Sequence, residues 1–456
     1  MERKSVWEIW DEKTKEKVFE FCENYKDFIS FNKTERKLIS SFVKIAEENG
    51  FKEIGKIEKI SKGDKIYKVN KGKQSIFCVI GEKSLLKGGK FIVSHIDCPR
   101  IDLKASPIYE DEKICLLKTY YYGGIKKYQW LSIPLALYGV IILKNGKKVE
   151  IEIGDKPNDP VFTITDLLPH LAKDQMKKTI EEGFPGENLN IIAGSIPLKK
   201  GKEGKVKQNI LKILKQSYGI EEDDFISSEI QVVPQGQAKD LGLDRSMILG
   251  YGQDDRVCAY TSFMAFLEIK KVEKSCFCIL VDQEEIGSRG STSAQSSFFQ
   301  SFIEEILEKA GENPLKINSV FENSKAISAD VDSLLDPNYK EVHDPKNAAR
   351  LGYGVILTRT TGGRGKGGST EPTAEYIGYI RNVFDKNNVI WQPGEIGKVE
   401  QGGGGTVATY LARLNIDTID CGTGILSMHA PFEIASKGDI YSTYLGYSAF
   451  YKSEIG

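Results

Sequence analysis

Histidine is scarce in this chain: only His95, His170, His343 and His429 occur in 456 residues. Any site built on imidazole must draw on those four, so their neighbours carry information. Long apolar runs are missing too, and none approaches the ~18 residues that a bilayer-spanning helix needs. The amino terminus, MERKSVWEIWDEKTKEK, lacks the apolar core of a secretory signal. Charge of one sign is also absent. With 63 Lys+Arg against 64 Asp+Glu the formal net charge is −1, which excludes a strongly basic nucleic-acid binder and a highly acidic disordered chain. None of the eight cysteines forms a CxxC pair, so a cysteine-based zinc knuckle or thioredoxin-type site is excluded. They read as reduced, packed thiols. The expectation is a cytoplasmic protein with neither nucleic acid nor membrane as partner.

What is present is globular: 40% hydrophobic and 28% charged residues, over a length that suits two or three domains. The first fifty residues are helical by pattern, with Phe42, Val43 and Ile45 on one stripe and Asn49-Gly50 as a stop. Short strands follow at 65–69, 75–80 and 91–95. Residues 101–243 are β-rich and irregular, and hold a basic stretch, KKGKEGKVKQNILKILKQ, which reads as a solvated helix face. From 244 onward strands and helices alternate: a helix after Asp255, a strand at 276–282, a helix near 298–307 and a strand ending at Asp330. Pro372 then marks a first helical position, before a strand at 389–392, a helix after Gly405 and a strand at 417–420. This pattern predicts a three-layer α/β/α domain made of residues 1–100 and 244–456, interrupted by the 101–243 insert.

The residues able to carry chemistry gather at strand ends. His95 and Asp97, in FIVSHIDCPR, are two apart and share a face if the strand continues. Asp97 could then take the proton on one imidazole nitrogen while the other binds a metal; a lone core histidine beside a carboxylate is the plainer alternative. Asp254 and Asp255 fall in YGQDDRVCAY before a helix. Glu284 and Glu285 follow a buried strand in VDQEEIGSRG. Asp330 ends another in AISADVDSLL, and His429 sits in the turn LSMHAPFE. Ligands of open α/β sheets bind along that edge. Two imidazoles and three carboxylates without a thiolate suit zinc, manganese or cobalt in a hydrolytic site. Two divalent ions against three carboxylates leave roughly one positive charge, which favours hydroxide over water. A carboxylate that does not ligate is then free to act as base.

Two glycine-rich stretches need separate readings. TTGGRGKGGST lacks the Lys-Ser/Thr step of a phosphate-binding loop, since Gly367 follows Lys366. QGGGGT, which includes Gly404, either offers backbone N–H groups to a substrate oxygen or makes a tight strand–helix turn. His343 reads as a solvated loop residue.

HIDCPR, GQDDR, QEEIGSRG, SADV with DPNY, and LSMHAPFE, in this order, resemble the aspartyl aminopeptidase family of metallopeptidases, the group that includes vacuolar aminopeptidase I. The resemblance covers nearly the whole chain, including DLLPHL in the insert. It implies an aminopeptidase acting on peptides with two divalent ions per subunit, most simply Zn2+, with Mn2+ or Co2+ possible. By resemblance Asp254 bridges both ions, His95 and Asp330 hold one, Glu285 and His429 hold the other, Glu284 is the general base and Asp97 orients His95. It also implies a cis peptide between Asp254 and Asp255, a β-rich dimerisation domain in the insert, and a dodecamer in which His170 lies near a neighbouring subunit's active site. Two positions depart from the pattern. Ser333 stands where many members have histidine, and Ile356-Leu357-Thr358 stands for a Val-Ile-Lys segment that meets acidic substrates. Thr358 carries no charge, and alternation turns Arg359 to the opposite face, so neutral amino-terminal residues are expected over Asp or Glu. Two competing functions share the motifs: a carboxypeptidase or deacylase with a similar dinuclear site, and an inactive shell-forming scaffold. The complete ligand set with Glu284 argues against the scaffold, and DLLPHL argues for the aminopeptidase.

Overall fold

The computed structural model describes residues 3–201 and 203–454. Apolar runs closed by turn residues supply the middle of a nine-stranded sheet. Its spatial order is Lys52–Glu53, Lys65–Asn70, Gln74–Val79, Cys276–Val281, Lys90–His95, Lys325–Ser328, Asp417–Gly422, Val355–Thr358 and Trp391–Gly394. The strands Cys276–Val281, Lys90–His95, Lys325–Ser328 and Asp417–Gly422 pair in parallel, so their carboxyl ends share one edge. Both faces are buried. Cys276, Cys278 and Leu280 enter one core, while Phe277, Ile279 and Val281 enter the other. That two-residue alternation between two apolar cores is why these strands read as continuous apolar runs. Phe277 is fully buried and stacks on Phe91 with ring centroids 4.5 Å apart; truncating such a ring to alanine costs about 3–5 kcal/mol.

One core receives the helices Glu12–Phe31, Glu35–Glu48, Gln253–Leu267, Ala374–Lys386 and Lys437–Lys452, the other Phe298–Lys309 and Ile317–Glu322. The layers are therefore α/β/α, as expected. Side-chain caps start several of these helices: Asp11 accepts from Thr14 N, Thr34 from Lys37 N and Thr373 from Tyr376 N. Pro372 precedes the Thr373 cap, so it lies outside the helix and not at its first position.

By internal contacts the chain forms two compact units. The first comprises Met1–Asp97, Ala238–Met428 and Glu433–Gly456; the second comprises Cys98–Gln237 with His429–Phe432. The first unit holds a further five-stranded sheet, ordered Lys239–Leu241, Met247–Gly250, Glu433–Ser436, Gly424–Leu426 and Asp332–Ser333. Residues 238–243 were expected in the insert, but Lys239–Leu241 pairs antiparallel with Met247–Gly250 and so belongs to this unit.

The second unit is built on a six-stranded antiparallel sheet, ordered Lys148–Ile153, Leu135–Ile142, Ser228–Pro234, Arg100–Asp111, Ile114–Tyr122 and Ile191–Gly194. Residues 205–216 of the basic stretch lie in the helix Lys205–Tyr218, which packs on this sheet and leaves Lys212 and Lys215 exposed. The segment 167–180 of this unit, which runs through two short 3-10 turns into a helix, exposes Leu167, Leu168, Leu171, Met176 and Ile180. All eight cysteines are buried, unpaired thiols.

Candidate metal centre

His95 closes the strand Lys90–His95 and is 2% exposed. Its Nδ1 lies 3.0 Å from the Asp97 carbonyl oxygen and 3.4 Å from Asp97 Oδ1. Its Nε2 lies 3.2 Å from Asp254 Oδ1 and 3.7 Å from Asp330 Oδ1. A proton on Nδ1 is thus held by Asp97, and Nε2, which faces two carboxylates, is the nitrogen that a metal would take in place of a proton. Burial alone would lower the His95 pKa, but the carboxylates of Asp254, Asp330 and Asp97 outweigh it and hold it well above the ordinary value.

Asp97 does more than orient an imidazole. Its Oδ1 accepts the backbone N–H of Glu284 (3.1 Å) and its Oδ2 that of Glu285 (3.2 Å). One buried carboxylate therefore fixes both His95 and the short 3-10 turn Glu284–Ile286 that carries both glutamates. Gln283 enters that turn at φ 66° and Gly287 leaves it at φ 93°, so the chain doubles back tightly beside Asp97.

Asp254 and Asp255 interrupt the start of the helix Gln253–Leu267 with non-helical backbone, and the peptide bond between them is cis. Asp254 N donates to Glu433 Oε2 at 3.0 Å, and Gln253 Nε2 donates to the Glu433 carbonyl oxygen at 2.6 Å. Glu433, 1% exposed and opposite Gly250 in the five-stranded sheet, thereby anchors the GQDDR loop. Nothing in the sequence singled out Glu433.

Among the described residues, two sets of side chains bring ligand atoms within 4.8 Å of one another: His95 with Asp254 and Glu285, and His95 with Asp255 and Asp330. The expected ligands His95, Asp254, Glu285 and Asp330 are thus together in the first unit. Asp255 is an addition. It is fully buried, and among the described residues no nitrogen or oxygen donor meets either carboxylate oxygen, the Cys258 thiol being its polar neighbour. Burial, reinforced by Asp330, pushes its carboxyl well up. Burial likewise raises Asp330 and takes Glu284 to about 8, with Asp330, Asp97 and Asp254 adding to the Glu284 shift against the opposing pull of His95. Carboxylates crowded at this density repel each other, and divalent cations are what relieves them. The donors are nitrogen and oxygen only, so the residues present fit zinc, manganese or cobalt.

The other expected residues lie elsewhere. His429 is grouped with the second unit, at φ 65°, with Nδ1 3.0 Å from the Gly124 carbonyl oxygen. His170 is exposed in the turn Pro169–Leu171 of that unit. Thr358 ends its strand, is 4% exposed and donates from Oγ1 to Asp332 Oδ2. Arg359 is exposed and paired with Glu371 at 3.0 Å. Gly404 N donates to the Thr361 carbonyl oxygen at 2.8 Å, so that amide is engaged between loops rather than turned to a substrate. A Cβ on Gly403 would meet Gly363 N at 2.4 Å; the two glycine-rich loops lie back to back, which accounts for their composition. His343 corrects its expectation: it is 6% exposed, and beside it Lys398 N donates to the Val342 carbonyl oxygen at 2.8 Å, so the segment before QGGGGT lies against its turn.

Comparison with known proteins places the chain in a family. The sequence profile of the family described as "Aminopeptidase I zinc metalloprotease (M18)" matches residues 28–451. A probable M18 family aminopeptidase 1 of Clostridium acetobutylicum is 48% identical over 455 residues, 98% of each chain. The crystal structure of an M18 aminopeptidase from Thermotoga maritima superposes with TM-score 0.96 at 46% identity, over 99% of both chains. A Saccharomyces cerevisiae Ape1 dodecamer shares the fold, with TM-score 0.76 at 21% identity over 94% of this chain and 95% of that one. Among the described residues no helix is long and apolar enough to cross a membrane.

Proposed function

The chain belongs to the aminopeptidase I (M18) family of zinc metalloproteases, and on that premise we propose that it removes amino-terminal residues from peptides with two divalent ions and Glu284 as general base. The observation that carries the reading is the convergence of His95 Nε2 with Asp254 and Asp330 oxygens while Asp97 holds the turn bearing Glu284 and Glu285. Asp254 would bridge the ions, with His95 and Asp330 on one and Glu285 and His429 on the other, the last on the strength of the LSMHAPFE motif. When bound, the ions supply Lewis acidity to the scissile carbonyl and acidify water.

The residues of the chain do the rest. Glu284, drawn back from its ion-free pKa of about 8 by nearby positive charge, accepts the proton of the attacking water and returns it to the leaving amine. Asp97 keeps the His95 tautomer and the position of Glu284 together, so geometry is set before substrate arrives. Neutral amino-terminal residues are preferred. The Thr358 hydroxyl is committed to the buried carboxylate of Asp332, so an acidic side chain beside Thr358 would meet like charge and no fixed cation.

The subunits assemble into a homo-oligomer through the insert, with twelve copies as the expected size. The exposed run Leu167, Leu168, Leu171, Met176 and Ile180 supports an interface in that unit, and the yeast relative is a dodecamer. Eight unpaired thiols support action in a reducing, cytoplasmic compartment.

Hydrolysis of matched leucyl and aspartyl p-nitroanilides, free and amino-acetylated, tests the reading. Cleavage of the free leucyl compound in preference to both the aspartyl and the acetylated ones is expected. Preference for the acetylated compound would replace it with a deacylase or carboxypeptidase.

A further inference from the structure

Asp420 lies in the middle of the strand Asp417–Gly422, 4% exposed. Among the described residues its Oδ1 has no hydrogen-bond partner. The charges that bear most on it are the carboxylates Asp330 and Asp332, while Ser328 and Thr406 are its polar neighbours. A buried carboxylate with like charges nearby and no opposing cation is costly unless something positive joins it. Among the described residues it is outside both sets of convergent metal ligands.

Register tells where this group stands. Val93 lies opposite Ser328, Ser328 opposite Asp420, and Asp420 opposite Thr358. Val93 is two residues before His95, and Ser328 two before Asp330. By the two-residue alternation, all these side chains share one face of the sheet. Asp420 therefore occupies the row one pleat below His95 and Asp330 and one strand over from Asp330. With about 6.6 Å between like-facing residues along a strand and about 4.8 Å between strands, its Cα is roughly 8 Å from that of Asp330. Ser328, fully buried in the same row, has its hydroxyl as a hydrogen-bonding neighbour of this carboxylate and, among the described residues, no other partner.

We propose that Asp420, with Ser328 beside it, receives the α-ammonium group of the substrate and so measures that the amino terminus is free. This rests on the aminopeptidase reading and deepens it. An ammonium is a compact cation with three N–H donors and no acceptor. A carboxylate oxygen with an adjacent hydroxyl is complementary to it, and neither is complementary to an acetylated amine. The α-nitrogen of a substrate is two bonds from the scissile carbonyl carbon, so a carbonyl near His95 and Asp330 brings the nitrogen toward the row below. Thr358, in the same row, is then left to meet the side chain. Asp420 on this account touches substrate and binds it without taking part in proton transfer.

The test compares two competitive inhibitors that differ only in the amine, leucine hydroxamate and 4-methylpentanoic hydroxamate, on the full-length zinc-loaded enzyme. In the unaltered protein the amine should tighten binding about tenfold to hundredfold, as a charge-assisted bond to a buried carboxylate does. Asp420→Asn should bring the ratio of the two inhibition constants close to one and raise KM more than it lowers kcat, with zinc content and Tm unchanged. Ser328→Ala, a smaller change in a packed position, should lower the same ratio about threefold and decides the matter if Asp420→Asn fails to fold. A ratio that either folded variant leaves at its original value overturns the assignment while the aminopeptidase reading stands. A ratio near one in the unaltered enzyme overturns both.

Discussion

Replacing Asp97 by asparagine isolates the part of the site that the geometry makes most consequential. The carboxylate accepts Glu284 N on Oδ1 and Glu285 N on Oδ2, at 3.1 and 3.2 Å. An amide has one acceptor oxygen, so in either orientation one backbone N–H faces an –NH2. His95 suffers less, because its Nδ1 keeps the Asp97 carbonyl oxygen at 3.0 Å. The loss is therefore one charge-assisted bond plus one unsatisfied buried donor, about 1.5–3 kcal/mol. Carried into metal binding through Glu285, that is roughly 10- to 100-fold in affinity, the usual scale for an outer partner of a ligand. Zinc affinity should be measured by chelator competition, alongside Tm of the metal-loaded protein to confirm the fold. An affinity within about twofold of the unaltered enzyme would refute the idea that Asp97 couples the imidazole to the glutamate turn.

Three further outcomes follow from the same structure. Thr358→Lys should raise the ratio of kcat/KM for aspartyl over leucyl substrates by about tenfold, the low end for a charge-assisted contact, because Asp332 competes for the ammonium; an unchanged ratio would remove Thr358 from the pocket. In metal-free protein the Glu284 carboxyl is raised from 4.5 to about 8, so the folded state binds the extra proton. Its penalty is full above about pH 8 and gone below 4.5, and the raised His95 acts in the same direction. Metal-free Tm should then rise on acidification through that window while the gain in Tm from added zinc shrinks, and a Tm that falls instead would contradict the crowding argument. Light scattering at micromolar concentration should report a large homo-oligomer, and substituting Leu167, Leu168 and Leu171 with serine should dissociate it; a monomer in the unaltered protein would count against assembly through the insert.

The central sheet was legible because its strands are buried on both faces: the runs ending at His95, Val281 and Ser328 could be read from continuous apolar character and the polar groups that stop them. The acidic motifs were legible because they follow those strands, where a parallel sheet collects its ligands. What remained hidden depends on tertiary placement. The two backbone bonds of Asp97 join a strand end to a turn 187 residues away, and no local spacing encodes them. Glu433 reaches Asp254 only because its strand lies opposite Gly250, and Asp255 directly follows Asp254, so local spacing alone does not show that it too joins a cluster with His95. The burial of His343 comes from a distant loop folding over it. Asp420 stands inside an apolar strand, where a single carboxylate gives no pattern until the register shows which row it shares.

The most direct test of the account is Glu284→Gln, assayed for bound metal and for turnover on the same preparation. The amide preserves shape and the backbone bond to Asp97 but cannot take up a proton from water. Elemental analysis should find two zinc ions per subunit, as in the unaltered enzyme, while kcat falls by at least ~10²-fold. Unaltered turnover with both ions bound would contradict the role of Glu284, and a variant that loses zinc would show that this glutamate holds metal instead of moving protons.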